Sequence, residues 1–170
     1  MVDWKLGAVL LLAATASPDS QDSTVYRHPS LPVSIEAPAG WAADSWRGDP
    51  GIFEVAAPDG SITVLLWFTD TEQSADRYLA KMVNMKPVDL TGPVRRTEIG
   101  GRAAWRVEAT GEEQGHEGIA ESFAVLNAGA GFPGEGVLVL QVWCAGERAN
   151  ELAPLMDLIV GSLRIDSASG

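Results

Sequence analysis

The segment Ile62-Thr63-Val64-Leu65-Leu66-Trp67-Phe68 is apolar at nearly every position, so a strand built from it is apolar on both faces. Such a strand needs cover above and below, which places it in the middle of a sheet held between two other layers. A second run, Val137 to Cys144, has the same character. These two runs constrain the fold more than any other feature of the chain.

Turn signals set the strand directions. Pro58-Asp59-Gly60 separates Ile52–Ala57 from Ser61–Thr69. Pro presets φ, Asp bonds its local backbone and Gly accepts positive φ, so a hairpin is predicted. Gly100-Gly101 predicts another between Val94–Ile99 and Arg102–Thr110. In the latter strand Ala103, Trp105, Val107 and Ala109 share one face, and Arg106 and Glu108 sit on the other. Further strands are predicted at Thr24–His28, Val33–Ala37, Gly118–Asn127 and Gly136–Cys144. The last two flank a Gly-rich loop from Ala128 to Glu135.

Two helices are predicted. Asp70 is read as the N-cap of the first, with Gln73 at capping-box spacing. Ala75, Leu79, Met82 and Val83 repeat at helical spacing, and Lys86-Pro87 ends the run. The second runs from about Ala149 to Leu163, with Leu152, Leu155, Met156, Ile159, Val160 and Leu163 as its apolar stripe. Pro154 fits only the first turn, so the regular helix starts late. The class is α+β: an α-β-α sandwich with a mostly antiparallel sheet of about six to eight strands covered by two helices.

Residues 1–16 read as a signal peptide, with a buried first strand or helix as the other reading because Asp3 offsets Lys5. Lys5 precedes an apolar run from Leu6 to Ala14, and Ala14-Thr15-Ala16 gives the small-x-small pattern of a cleavage site. The run is too short to span a bilayer, and no Cys follows it to carry a lipid anchor. Export to a periplasmic or extracellular location is expected, with no integral membrane segment after processing. Residues 17–23 form a flexible leader, 24–166 a single domain and 167–170 a tail.

The net charge is −11 and the sequence pI about 4.5. That balance repels phosphate backbones and anionic lipid heads, which counts against nucleic acid and membrane surfaces as partners. The only cysteine is Cys144, so neither an intramolecular disulfide nor a cysteine-based zinc site is possible, and its apolar run suits a core position.

Three segments carry a family resemblance. They are Val33 to Trp41, which ends in Pro-Ala-Gly-Trp; Ile99 to Trp105 around the Gly-Gly turn; and Val142-Trp143-Cys144-Ala145 with Ile159 to Ile165 around the last helix. In these the chain resembles the PsbP-like family, which includes the photosystem II extrinsic protein and DcrB-type bacterial envelope proteins. The resemblance spans residues 24 to 166. It implies the α-β-α sandwich and a non-catalytic role as an assembly factor, accessory subunit or partner binder. It supplies no catalytic set.

Candidate chemistry is sparse. Glu112, Glu113, His116 and Glu117 form the densest set of possible metal ligands, since carboxylates with an imidazole suit a divalent cation. Gln114-Gly115 and Gly118 equally fit a solvated acidic turn. His28 lacks an identifiable proton-transfer partner, and the glycines of 128–136 lack the Lys-Ser/Thr pair of a phosphate loop. Alternation places Glu121 with Ile119, Phe123 and Val125 on an apolar face, which fits a strand-edge position, a structural ion pair with Arg102 or Arg106, or a functional buried acid. Trp41 and Trp46 lie in the loop from Gly40 to Gly51, either as a recognition patch or, for Trp41, as a plug under the loop.

The expected function is that of an exported, non-catalytic, monomeric accessory protein with a protein partner and no cofactor. The alternative is a metal-dependent or hydrolytic enzyme using the 112–117 loop.

Overall fold

The computed structural model describes residues 22–45, 52–85, 88–113 and 116–166. The expected signal peptide, Trp46, Lys86-Pro87, Gln114-Gly115 and the tail lie outside the described residues. In chain order the strands are β1 Ser23–Arg27, β2 Val33–Pro38, β3 Ala42–Ser45, β4 Ile52–Ala56 and β5 Ile62–Asp70. Helix α1, Ala75–Met85, follows. Then come β6 Val88–Leu90, β7 Arg95–Ile99, β8 Arg102–Glu113, β9 His116–Asn127 and β10 Gly136–Cys144. A 3-10 turn, Gly146–Glu151, leads into α2, Leu152–Ser162, and β11, Arg164–Ile165.

Among the described residues, eight strands form one antiparallel sheet in the order β3-β4-β5-β10-β9-β8-β6, with β7 also pairing β8. The two doubly apolar strands, β5 and β10, lie side by side in its middle. Alternation divides their side chains between two cores. Ile62, Val64, Leu66, Leu138, Leu140, Val142 and Cys144 pack with Met156 and Ile159 of α2. On the opposite face Trp67, Val137 and Val139 pack with Leu79 of α1, together with Phe123 and Val107. Each large side chain fully buried this way contributes roughly 1.5–3 kcal/mol.

The three-stranded sheet β1-β2-β11 was not expected. It joins the α2 layer, where Tyr26, Val33, Ile35 and Ala37 enter the same core as α2. Ser162 fastens the two parts: its Oγ accepts the Glu36 N–H at 2.8 Å and donates to the Ile159 carbonyl at 2.9 Å. β11 has only two residues, too few to show a period.

Both turn signals work as read. Gly60 sits at φ 69°, and Gly100 and Gly101 at 57° and 77°, the double positive φ of a type I′ hairpin. Pro154 falls in the first turn of α2. The N-cap of α1 is corrected. Asp70 is the last residue of β5, opposite Gly136 of β10, and the helix begins at Ala75. Its first N–H is capped from another element, since Ala75 donates to Asn127 Oδ1 at 2.9 Å. Gln73 instead donates its backbone N–H to Thr71 Oγ1 at 3.2 Å. Strand pairing thus claims the residue that local spacing assigned to a cap.

Candidate functional site

Trp41 follows the Pro38-Ala39-Gly40 turn, where Gly40 has φ 85°. Its side chain is half-buried against the α2-side core. Tyr26 ties the turn down by donating its hydroxyl to the Trp41 carbonyl at 3.0 Å. The chain then enters β3, whose residues Ala42 to Asp44 are exposed. β3 pairs only with β4, so among the described residues its outer edge carries no strand. Trp46 follows immediately and lies outside the described residues.

His28 is built into a turn. Its Nδ1 accepts the backbone N–H groups of Ser30 and Leu31, both at 3.1 Å, and its ring lies 5.5 Å from that of Phe53. A nitrogen accepting two N–H bonds carries no proton, so the geometry selects the Nε2–H tautomer and a structural role.

Around the proposed acidic cluster, β8 and β9 pair antiparallel as far as Glu113 and His116. Glu113 stands opposite His116 and Glu112 opposite Glu117, after a register shift at Gly111/Glu112. The side chains of these four residues lie outside the described set. Among the described residues, no group of three or more His, Cys, Asp or Glu is placed to hold a metal ion.

The Gly-rich loop folds back onto the sheet. Phe132 packs on the α2-side core and stacks on Phe68 with centroids 5.7 Å apart. The Arg102 guanidinium carbon sits 5.9 Å from the Phe132 ring centroid. A β-strand, not a helix, follows the glycines, as a hairpin loop requires.

Glu121 is 0% exposed, which rules out the strand-edge position. It lies between Ala109 of β8 and Trp143 of β10 in the register. Arg102 and Arg106 both lie towards the other face of the sheet, Arg102 against Phe132 of the α2-side core. Arg106 stands opposite Ala124, on the other face of the sheet. Its guanidinium bonds there to Ser122 Oγ at 3.3 Å, Glu108 Oε1 at 3.1 Å and the Asp157 carboxylate of α2.

Cys144 is buried, and desolvation pushes its thiol up to about 11. Roughly one thiol in a thousand is then ionised near pH 8. An aromatic disulfide reagent should leave the folded protein unmodified and react fully once it is unfolded in urea; fast reaction in the native state would contradict a core position. The unfolded thiol titrates near 9.0. Between about pH 9 and about pH 11 the unfolded chain binds fewer protons than the folded one, so this group's contribution to stability is lost across that window.

Two arginine-centred constellations were not anticipated. Arg148 grips Glu151 through Nε at 2.8 Å and a second nitrogen at 2.5 Å, and donates to Ser61 Oγ at 2.6 Å. It fastens the Pro58-Asp59-Gly60 turn to the 3-10 turn, and its hydrogen bonds hold the Glu151 carboxyl below the ordinary range. The second surrounds Arg106. A cleft of about 290 Å3 opens between β7, β8 and α2, lined by Gly92, Thr97, Ala153 and Asp157 and by the arginines 95, 96 and 106. Its sequence signal was available: Arg95-Arg96 one residue after the Gly92-Pro93 turn, in a chain of net charge −11.

Comparison with known proteins places this geometry in a fold family. No protein-family model matches the sequence, and no curated protein does. Solved structures match. The chain is similar to cyanobacterial PsbP (CyanoP) from Synechocystis sp. PCC 6803, with a TM-score of 0.59 and 11% identity over 91% of this chain and 99% of that one. It is also similar to LpqN, involved in cell envelope biogenesis of Mycobacterium tuberculosis, with a TM-score of 0.56 and 17% identity over 84% of this chain and 90% of that one. The chain has the PsbP-like fold.

Proposed function

We propose that this chain is an exported accessory protein that acts by binding a partner, without catalysis, through the segment from Gly40 to Gly51. The observation that carries the reading is the position of β3 at the end of the large sheet, where it pairs only with β4 among the described residues. Its exposed residues Ala42 to Asp44 sit between Trp41 and Trp46. The edge strand of a sheet offers N–H and C=O groups to an extended segment of another protein, and flanking tryptophans add large contact area at low entropic cost. The fold shared with LpqN, a protein involved in cell envelope biogenesis, supports placement outside the cytoplasm. Fold likeness alone carries no activity.

Export is tested by sequencing the N-terminus of the protein from the exported fraction. A chain beginning at Ser17 is expected; one beginning at Met1 would contradict cleavage. The alternative, a cation held by Glu112, Glu113, His116 and Glu117, draws support from the register that sets Glu113 opposite His116. Thermal unfolding with zinc, manganese or calcium separates the two. The binding account expects no shift; stabilisation that His116→Ala abolishes would favour the metal site. The binding step itself is tested by partner capture with Trp46→Ala.

A further inference from the structure

We propose that the cleft between β7, β8 and α2 binds a small free oxyanion, a carboxylate or a phosphate, between Arg95 and Arg106. The inference is independent of the partner segment, which lies at the opposite edge of the sheet.

One cross-strand row carries the argument. It runs Phe53, Leu66, Leu140 and Ala124 across the α2 face, and it ends at Arg106 and Arg95. Two arginines directly opposite each other in an antiparallel pair repel. Arg106 is held rigid by its bonds to Ser122, Glu108 and Asp157, with its side chain 17% exposed. Arg95 is exposed and makes no ion pair among the described residues. An oxyanion between them relieves the repulsion and matches two planar guanidinium forks.

The rest of the cleft is mixed: Glu108 also lines it and holds Arg106 from one side at 3.1 Å. Thr97 shares the Arg95 face of β7, and Ala153 keeps the α2 wall low. The volume admits a small ligand near the lower limit of ordinary binding pockets, about 300 Å3. Asp157, with its side chain 70% exposed, already rests a carboxylate on Arg106. It marks where an incoming anion docks and competes with it. The overall charge of −11 selects for size. A small anion feels mainly the arginines within a screening length of about 8 Å, whereas a membrane or nucleic acid also meets the acidic surface.

The test is an NMR titration of the protein with inorganic phosphate and with citrate, against sodium chloride at matched ionic strength. Saturable shifts at the Gly92, Thr97 and Ala153 amides are expected, and the two probes show which oxyanion class is preferred. Arg95→Gln should weaken binding at least about tenfold. Asp157→Asn should tighten it, the opposite sign to that of a residue with a merely structural role. Unchanged thermal midpoints confirm that both variants fold. Shifts no different from chloride, equal affinity in Arg95→Gln, or weaker binding in Asp157→Asn would each overturn the proposal. So would Arg95-dependent binding to phosphatidylglycerol vesicles without binding of free phosphate.

Discussion

Phe123→Ala should lower the unfolding free energy by about 3–5 kcal/mol. Phe123 is fully buried in the core under α1, opposite Val107 of β8 and Gln141 of β10. Truncation removes the transfer energy of the ring and leaves a cavity that Leu79, Val125 and Val139 fill only in part. Urea unfolding followed by circular dichroism measures the loss. A change below about 1 kcal/mol would mean that α1 does not seal this face, since a side chain left accessible to solvent forfeits little on truncation.

Gly136→Ala should be nearly as damaging, at about 3 kcal/mol, the upper end for overpacking. An added Cβ would collide with the Thr69 carbonyl of the paired strand and lie 2.8 Å from two carbons of the Phe68 ring. The carbonyl belongs to the strand backbone and cannot move aside without disturbing β5. Gly129→Ala is the control. Its added Cβ meets the far end of the Arg102 side chain, which can swing away, so the expected cost is below about 1 kcal/mol. Equal effects of the two substitutions in the same urea experiment would contradict close backbone approach as the source of the cost at Gly136.

The elements that periodicity and turn chemistry could reach were legible. β5 and β10 announced a two-sided sheet, and Gly100-Gly101 fixed a register in which Ile99 faces Arg102. Continued down the ladder, that register puts Arg95 opposite Arg106, so half of the arginine cleft was legible too. The other half was not: no local pattern brings Ala153 and Asp157 of α2 over β8. β3, β6 and β11 are only two to four residues long and show no period of their own. The cap of α1 failed for a related reason, because Asn127 reaches Ala75 from 52 residues away. Glu121 shows a further limit. Alternation gave its face correctly, while its complete burial depends on neighbours that arrive from β8 and β10.

The most direct measurement of the binding account is quantitative partner capture from native extract. Mature wild-type protein and Trp46→Ala are immobilised at equal density, with matched thermal midpoints confirming that both are folded. The account expects the wild type to retain a stoichiometric partner, and expects Trp46→Ala to retain at least about tenfold less, the loss of one tryptophan anchor. Equal recovery by the two proteins would contradict it.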